Sequence, residues 1–247
     1  MFKDKIAVVT GGTRGIGFAV AEKLLPQGAK VVLFGSKQET VDSALDSLRA
    51  AYPGSEVSGM WPELRNYESV SSAMHEIAGK YGRIDMLVCC AGITGMGNFY
   101  DYTPEYFERV VGLNLFGTFN CAHSVAPIMK EAGGGVMLFS SSNTAMWGTA
   151  SGCAYPVSKC CINALARNLG RELAKDNIRV NAVAPGLVDT DMVGPISQEV
   201  KDMVAARNPQ GRFAPAEEVA KVYMFMLSDD SSRVTSETLP AAGGGMD

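Results

Sequence analysis

The chain has 247 residues, of which 47% are hydrophobic and 19% charged, with a net charge of −4 from 22 basic and 26 acidic side chains. That balance supports a sizeable core and excludes a disordered chain, while the absence of a Lys/Arg run argues against a nucleic-acid or anionic-membrane partner. No apolar stretch approaches the roughly 20 residues that a bilayer span needs, and the opening Met1-Phe2-Lys3-Asp4-Lys5 runs into a short strand without a cleavable signal, so the chain reads as cytoplasmic.

Short apolar runs at 6–11, 30–34, 56–60, 84–90, 135–140, 178–184 and 235–240 read as strands. Segments of helical period lie between them at 15–27, 38–51, 66–80, 104–130, 152–175, 197–206 and 216–228. IAVVTG and IDMLVCCAG are apolar without alternation, as in strands covered on both faces. The expected fold is therefore α/β: a single Rossmann-type, doubly wound domain over 1–247, with a seven-stranded parallel sheet and helices on both faces. Region 186–215 breaks the rhythm after a strand end, where open α/β sheets bind ligands. It reads as a substrate lid in preference to a plain surface connection.

The cysteines at 89, 90, 121, 153, 160 and 161 show no Cys-x-x-Cys or His-spaced zinc pattern and read as reduced thiols. With His75 and His123 the only histidines, no metal site is expected. Neither histidine is expected to be catalytic, and no Gly-x-Ser-x-Gly elbow is present.

Thr10-Gly11-Gly12-Thr13-Arg14-Gly15-Ile16-Gly17 follows the first strand and opens the first helix. Glycines there let backbone approach a pyrophosphate, which the N–H groups of the helix start attract. At the end of the second strand an NAD-preferring site commonly carries a carboxylate for the ribose hydroxyls. This chain has no acid until Glu39 and offers Ser36 and Lys37, with Arg14 in the loop. Hydroxyl and cationic donors suit a 2′-phosphate, so NADP(H) is expected over NAD(H), although Lys37 also fits an ordinary solvated helix-start lysine.

Tyr155-Pro156-Val157-Ser158-Lys159 begins the helix after the fifth strand. Tyr155 and Lys159 share one helix face, and an ammonium beside a phenol lowers the phenol's pKa. Ser140-Ser141-Ser142 ends the preceding strand, and Ser142 stands 13 positions before the tyrosine. A hydroxyl there can donate to a carbonyl oxygen while Tyr155 exchanges the proton.

With these elements in order, the chain resembles the short-chain dehydrogenase/reductase family over essentially its whole length. The likeness rests on TGGTRGIG, Ala91-Gly92, Asn114 of VGLNLFG, Ser142, the YPVSK box and Ala184-Pro185-Gly186. It implies that Tyr155 is the general acid/base and that Ser142 positions the carbonyl or alcohol. Lys159 would hold the nicotinamide ribose and tune the tyrosine, and Asn114 would support a water relay to it. Ser140 and Ser141 compete for the serine role with offsets that fit less well. The implied cofactor contacts are Gly11, Thr13, Arg14, Gly15, Ile16 and Gly17 in the loop, and Ser36 and Lys37 after the second strand. Further along they are Glu63 and Leu64, then Cys90, Ala91 and Gly92, then Tyr155 and Lys159, and finally Pro185, Gly186, Val188 and Thr190.

Three positions depart from the family pattern. Cys89-Cys90 replaces Asn-Asn, which should loosen that strand end. Glu63 replaces an aspartate, which shifts or loses the adenine contact. Ala242 replaces the aspartate of Asp-Gly-Gly, which leaves one interface or cofactor-side contact in doubt.

Within the family the likeness is strongest to bacterial bile-acid hydroxysteroid dehydrogenases, through GGTRGIGFA, LFGSKQE and KYGRIDMLVCCAGIT. A steroid or bile acid is thus the expected small-molecule substrate, with the 3-position favoured. Met96, Met146, Trp147, Met192 and Val193 are pocket residues on this reading, and core or interface residues on the alternative one. The rival reading is a 3-oxoacyl-(acyl-carrier-protein) reductase, whose acidic partner calls for a basic patch, whereas Lys130 and Lys175 here each adjoin an acid. A dinucleotide sensor without chemistry would not need the proton-transfer groups. A homo-tetramer, or failing that a dimer, is expected from apolar positions such as Leu115, Phe119, Ala164 and Leu165 on the long helices.

Overall fold

The computed structural model describes residues 1–95, 97–150, 152–193 and 197–245. Strands β1 (Ile6–Thr10), β2 (Lys30–Phe34), β3 (Val57–Met60), β4 (Met86–Cys89), β5 (Gly135–Ser140) and β6 (Ile178–Pro185) appear in chain order. Val188–Asp189 and Ala214–Pro215 form two short strands, β7 and β8, and Thr238–Ala241 forms β9. Seven of these make one sheet in the order β3-β2-β1-β4-β5-β6-β9. Every neighbouring pair in that sheet is parallel.

Strand pleating sorts the apolar runs. Ala7, Val9, Val31, Leu33 and Val88 pack with helices α1 (Gly15–Leu24), α2 (Gln38–Ala51) and α9 (Ala216–Leu227) on one face. Ile6, Val8, Val32, Leu87 and Phe139 pack on the other face against α3 (Tyr67–Tyr81), α5 (Gly117–Glu131) and α7 (Ala154–Glu172). This double coverage is why the strand sequences lack polar alternation.

Local chemistry sets the helix ends. The Asn66 side chain accepts the Ser69 N–H before α3, and Gly82 ends that helix in the left-handed region at φ 77. Thr103 caps α4 (Pro104–Val111) by accepting the Tyr106 N–H, with Pro104 in the first turn. The segment expected as one helix over 104–130 is instead α4 and α5 joined by a π turn at Gly112–Phe116. The Thr118 hydroxyl donates to the Asn114 carbonyl (2.8 Å) at this widened turn.

The segment after β6 is pinned at its base. β7 pairs in parallel with β8, so residues 190–213, including α8 (Gln198–Ala205), leave and return through one narrow ribbon. No described helix is long and apolar enough to cross a membrane.

Asp85 ties the start of β1 to the start of β4. Its carboxylate, 6% exposed, accepts the Ile6 N–H at 2.9 Å, Lys5 Nζ at 3.2 Å and Arg83 Nε at 2.9 Å. Replacing it would strand a buried backbone donor beside two cations. Asp85→Ala is expected to cost about 2–4 kcal/mol, read as a lowered urea midpoint with an unchanged slope.

Candidate active site

The phosphate loop lies at the carboxyl end of β1, where the chain turns into α1. Gly11 sits at φ +62, and a Cβ there would lie 2.7 Å from the Ala91 nitrogen. A Cβ on Gly17 would lie 2.4 Å from the Gly11 carbonyl oxygen and 3.2 Å from the Cys90 side chain. The loop therefore closes directly onto the end of β4 only because these positions lack side chains. Gly15 is also left-handed at φ +55, and a Cβ there would meet Thr190 at 3.4 Å, which puts Thr190 beside the loop. Arg14 is extended and exposed at the start of α1, 3.8 Å from the Asp191 carboxylate. That solvent-exposed pair is weak and leaves the guanidinium able to turn.

Ser36 and Lys37 are exposed after β2, and a Cβ on Gly35 would touch Thr13 at 2.9 Å, so the β2 end and the loop adjoin. Leu64 is buried, and its carbonyl accepts Asn120 Nδ2 at 2.9 Å. Glu63 is turned onto Arg65, whose Nε donates to it at 3.0 Å. That guanidinium and the Arg65 N–H hold the Glu63 carboxyl below its ordinary value. Its charge is engaged locally.

The β4 end is not loosened by its cysteines. The Cys90 N–H donates to the Thr10 carbonyl (3.1 Å) and the Ala91 N–H to the Thr10 hydroxyl (3.2 Å). Backbone and Thr10 thus supply the tie that an asparagine would have shared. Ala242 likewise contributes through its backbone, its carbonyl accepting Asn208 Nδ2 at 2.8 Å. Pro185 is buried with its carbonyl bonded to the Asn143 N–H (2.9 Å), and Gly186 lies against Ala242. Val188 packs into the core, and Ile16 packs against it.

The serine run divides by direction. Ser140 turns inward, its hydroxyl 3.1 Å from Cys90 Sγ and 2.6 Å from the Tyr223 hydroxyl. Ser141 donates to the Lys159 carbonyl at 3.4 Å. Ser142 is the one that meets Tyr155, and Thr144 donates to it through its hydroxyl at 3.0 Å.

Lys159 is 4% exposed, and its Nζ donates to the Ser140 carbonyl at 2.6 Å. The same nitrogen lies 5.6 Å from the centre of the Tyr155 ring. Burial pulls its pKa down to about 8, so it stays mostly charged at neutral pH. The expectation that this ammonium lowers the Tyr155 pKa is corrected here. Burial raises the phenol, and what opposes the rise is its hydrogen bond with Ser142. Asn114 is fully buried and bridges the Ile93 backbone through both side-chain atoms (2.9 and 3.0 Å), while its Nδ2 also reaches the Ser158 hydroxyl at 3.0 Å. A Cβ on Gly92 would sit 3.0 Å from Asn114 Oδ1 and 3.6 Å from Lys159 Nζ, so the three converge.

Ser158 and Thr144 escape a reading by motif alone. Their signals are positional: a hydroxyl three residues after Tyr155, and another two residues after Ser142, in reach of its side chain.

A cleft of about 530 Å³ is lined by Gly97, Asn98, Phe99, Thr149, Ala150, Gly152 and Cys153, the last two just ahead of α7. Met146, Trp147 and Met192 are 41%, 56% and 47% exposed on the segments following β5 and β6. Met96 and the side chain of Val193 lie outside the described residues.

A family model described as enoyl-(acyl carrier protein) reductase matches residues 11–246. The chain belongs to the short-chain dehydrogenase/reductase family. As such it is an oxidoreductase acting on a CH–OH group, in a family that binds NAD(P). It is 47% identical over 243 residues to a 3alpha-hydroxysteroid dehydrogenase of Mediterraneibacter gnavus, covering 98% of this chain and 97% of that one. It is 35% identical to a 3-oxoacyl-(acyl-carrier-protein) reductase of Aquifex aeolicus, again covering 98% and 97%. Among solved structures, an actinorhodin polyketide ketoreductase with NADPH superposes with a TM-score of 0.92 at 30% identity, covering all of both chains.

The side-chain-free cradle at Gly11, Gly15 and Gly17 fits a dinucleotide pyrophosphate, and hydroxyl and cationic donors flank it at Ser36, Lys37 and Arg14. Gly17→Ala in this short-chain dehydrogenase/reductase should drive a methyl into the Gly11 carbonyl. Dinucleotide affinity measured by fluorescence titration should fall at least about 10-fold, in line with a loop shifted by a few tenths of an ångström, while far-ultraviolet circular dichroism stays unchanged.

Proposed function

We propose that this enzyme is an NADP(H)-dependent hydroxysteroid dehydrogenase that interconverts a hydroxyl and a ketone on a steroid or bile acid, with the 3-position as its site of action. The observation that carries the reading is the 47% identity, over nearly the whole chain, to a 3alpha-hydroxysteroid dehydrogenase, against 35% to the carrier-protein reductase. The exposed Met146, Trp147 and Met192 support it, since a flat apolar ligand gains by covering such side chains. The carrier-protein alternative wants free cations near the mouth, and Lys130 is paired with Asp176 at 3.1 Å. On this reading the enzyme works in the cytoplasm as a homo-tetramer, as one domain whose 186–215 segment closes over the substrate.

Gly11, Thr13, Arg14, Gly15, Ile16 and Gly17 would hold the pyrophosphate end of the dinucleotide. Ser36 and Lys37 would take the 2′-phosphate with Arg14. Leu64, Cys90, Ala91 and Gly92 would line the middle of the crevice, with Glu63 at its edge, and Pro185, Gly186, Val188 and Thr190 would flank the nicotinamide. When bound, the dinucleotide supplies or accepts the hydride. In the reducing direction Tyr155 gives its proton to the forming alkoxide, and Ser142 donates to the same oxygen, which orients the carbonyl. A phenol held protonated by burial is suited to this donation. Lys159 keeps a positive charge behind the tyrosine as the phenolate forms, and would also hold the ribose. Asn114 fixes the loop after β4 through the Ile93 backbone and would support a water relay to Lys159.

A hydride-transfer assay with 3-, 7- and 17-ketosteroids and a β-ketoacyl thioester tests the substrate class. Turnover of the thioester alone would overturn the steroid reading. Tyr155→Phe should lower kcat at least ~10²-fold, the range for a lost general acid, with dinucleotide binding nearly intact.

Cofactor choice is tested by the two kcat/KM values. Charge-assisted hydrogen bonds of about 1.5–3 kcal/mol each, less for exposed Lys37, should favour NADP(H) tens-fold or more. Ser36→Asp should reverse that preference, because a carboxylate repels the phosphate and accepts from the ribose hydroxyls of NAD. Equal values in the unsubstituted enzyme would make Ser36 a turn residue only.

A further inference from the structure

Tyr223 lies on α9, on the face of the sheet opposite the catalytic helix α7, and is fully buried. A tyrosine in such a place needs a partner for its hydroxyl. It finds Ser140 at 2.6 Å, and the Ser140 hydroxyl in turn donates to Cys90 Sγ at 3.1 Å. The Tyr223 hydroxyl also reaches the Cys90 thiol, so the three side chains close on one another. Burial raises the Cys90 thiol to about 11 and lifts Tyr223 as well, so both stay neutral. The cluster is thus a set of uncharged hydrogen bonds. Its centre is the residue whose backbone carbonyl takes the Lys159 ammonium at 2.6 Å.

We propose that Tyr223 and Cys90 are positioning residues which grip the Ser140 side chain from within the core and so hold the Ser140 carbonyl on Lys159. Three elements meet at this grip. α9 brings Tyr223 to the sheet's face, Cys90 directly follows the end of β4, and β5 ends at Ser140. Cys90 also faces Gly17, where a Cβ would stand 3.2 Å from its side chain. The brace therefore connects the phosphate-loop helix to the ammonium. From the other side Ser141 holds the Lys159 carbonyl, so the lysine is fixed at its backbone and at its tip by adjacent residues of one strand end. The titratable groups bearing on Lys159 among the described residues are Cys89 at the end of β4, Cys90 directly after it, and Tyr155 from its own helix. Cys89 faces the opposite core, beside Cys121.

The proposal rests on Lys159 serving the hydride-transfer site, and its test has a readout independent of turnover. Lysine Nζ labelled with nitrogen-15 is titrated by NMR, with the Lys159 signal identified by its loss in Lys159→Arg. Tyr223→Phe keeps the ring and removes the hydroxyl, and Ser140→Ala keeps the carbonyl and removes the grip. In both, the Lys159 titration should move down by ~0.5 unit or more, and the alkaline limb of kcat should move with it, with kcat falling several-fold more than KM changes. Cys90→Ala, which removes the acceptor of the Ser140 hydroxyl, should move the titration in the same direction. Val219→Ala, a core truncation on the same helix, should lower Tm without moving the titration. An unmoved Lys159 titration in Ser140→Ala overturns the proposal, even where Tyr223→Phe fails to fold. Wild-type inactivity on every ketone would overturn the steroid reading alone, since the titration still decides the brace.

Discussion

A parallel strand can be followed within its own sheet only by a right-handed crossover. The order β3-β2-β1-β4-β5-β6-β9 therefore sends the first part of the chain to one side of β1 and the remainder to the other. Connections leaving β1 and β4 depart in opposite directions, and a crevice opens above their carboxyl ends. The residues proposed for dinucleotide and substrate chemistry gather at that edge, on strand ends, loops and the helices beside them. The sheet below carries no part of the reaction, but it sets the separation of those loops, which is why Asp85 and the glycine contacts at Ala91 matter so far from the proton transfer.

Three consecutive serines at the end of one strand serve three directions. Alternation along the strand sends Ser140 inward, the strand end turns Ser141 toward the backbone of α7, and Ser142 faces Tyr155. The buried ammonium is held by the Ser140 carbonyl, and no carboxylate among the described residues acts on it. A counter-ion there would lock the lysine into a salt bridge and withdraw its charge from the tyrosine. A carbonyl gives a weaker hold and leaves the positive charge available.

The strands and long helices were readable because burial on both faces leaves unbroken apolar runs and because glycine, proline and asparagine mark the ends. Where the reading failed, the deciding contact was remote in sequence. β9 was expected from 235, but the Thr235 hydroxyl and Ser236 N–H instead bond the backbone of Val180, and Ser236 takes φ 69, so pairing starts only at Thr238. The π turn left no trace, since GLNLF keeps an apolar period in either geometry. The spacing of Tyr155 and Lys159 placed them on one face yet could not reveal which acceptor takes the ammonium, because that acceptor comes from β5. Tyr223 was invisible for the same reason: in α9 it reads as one more core aromatic.

The widened turn at Gly112–Phe116 has a consequence for the outer surface. One extra residue in a helical turn rotates everything downstream by about 100°. α4 and α5 therefore run along one axis with different phases. The shift that carries Asn114 inward is the same one that leaves Phe116 and Phe119 facing outward at 56% and 41% exposure. The placement of Asn114 and the aromatic face of α5 are thereby set by a single residue of slack. Deleting one residue between 112 and 116 would re-phase both together, so inner chemistry and outer shape cannot drift independently along this helix.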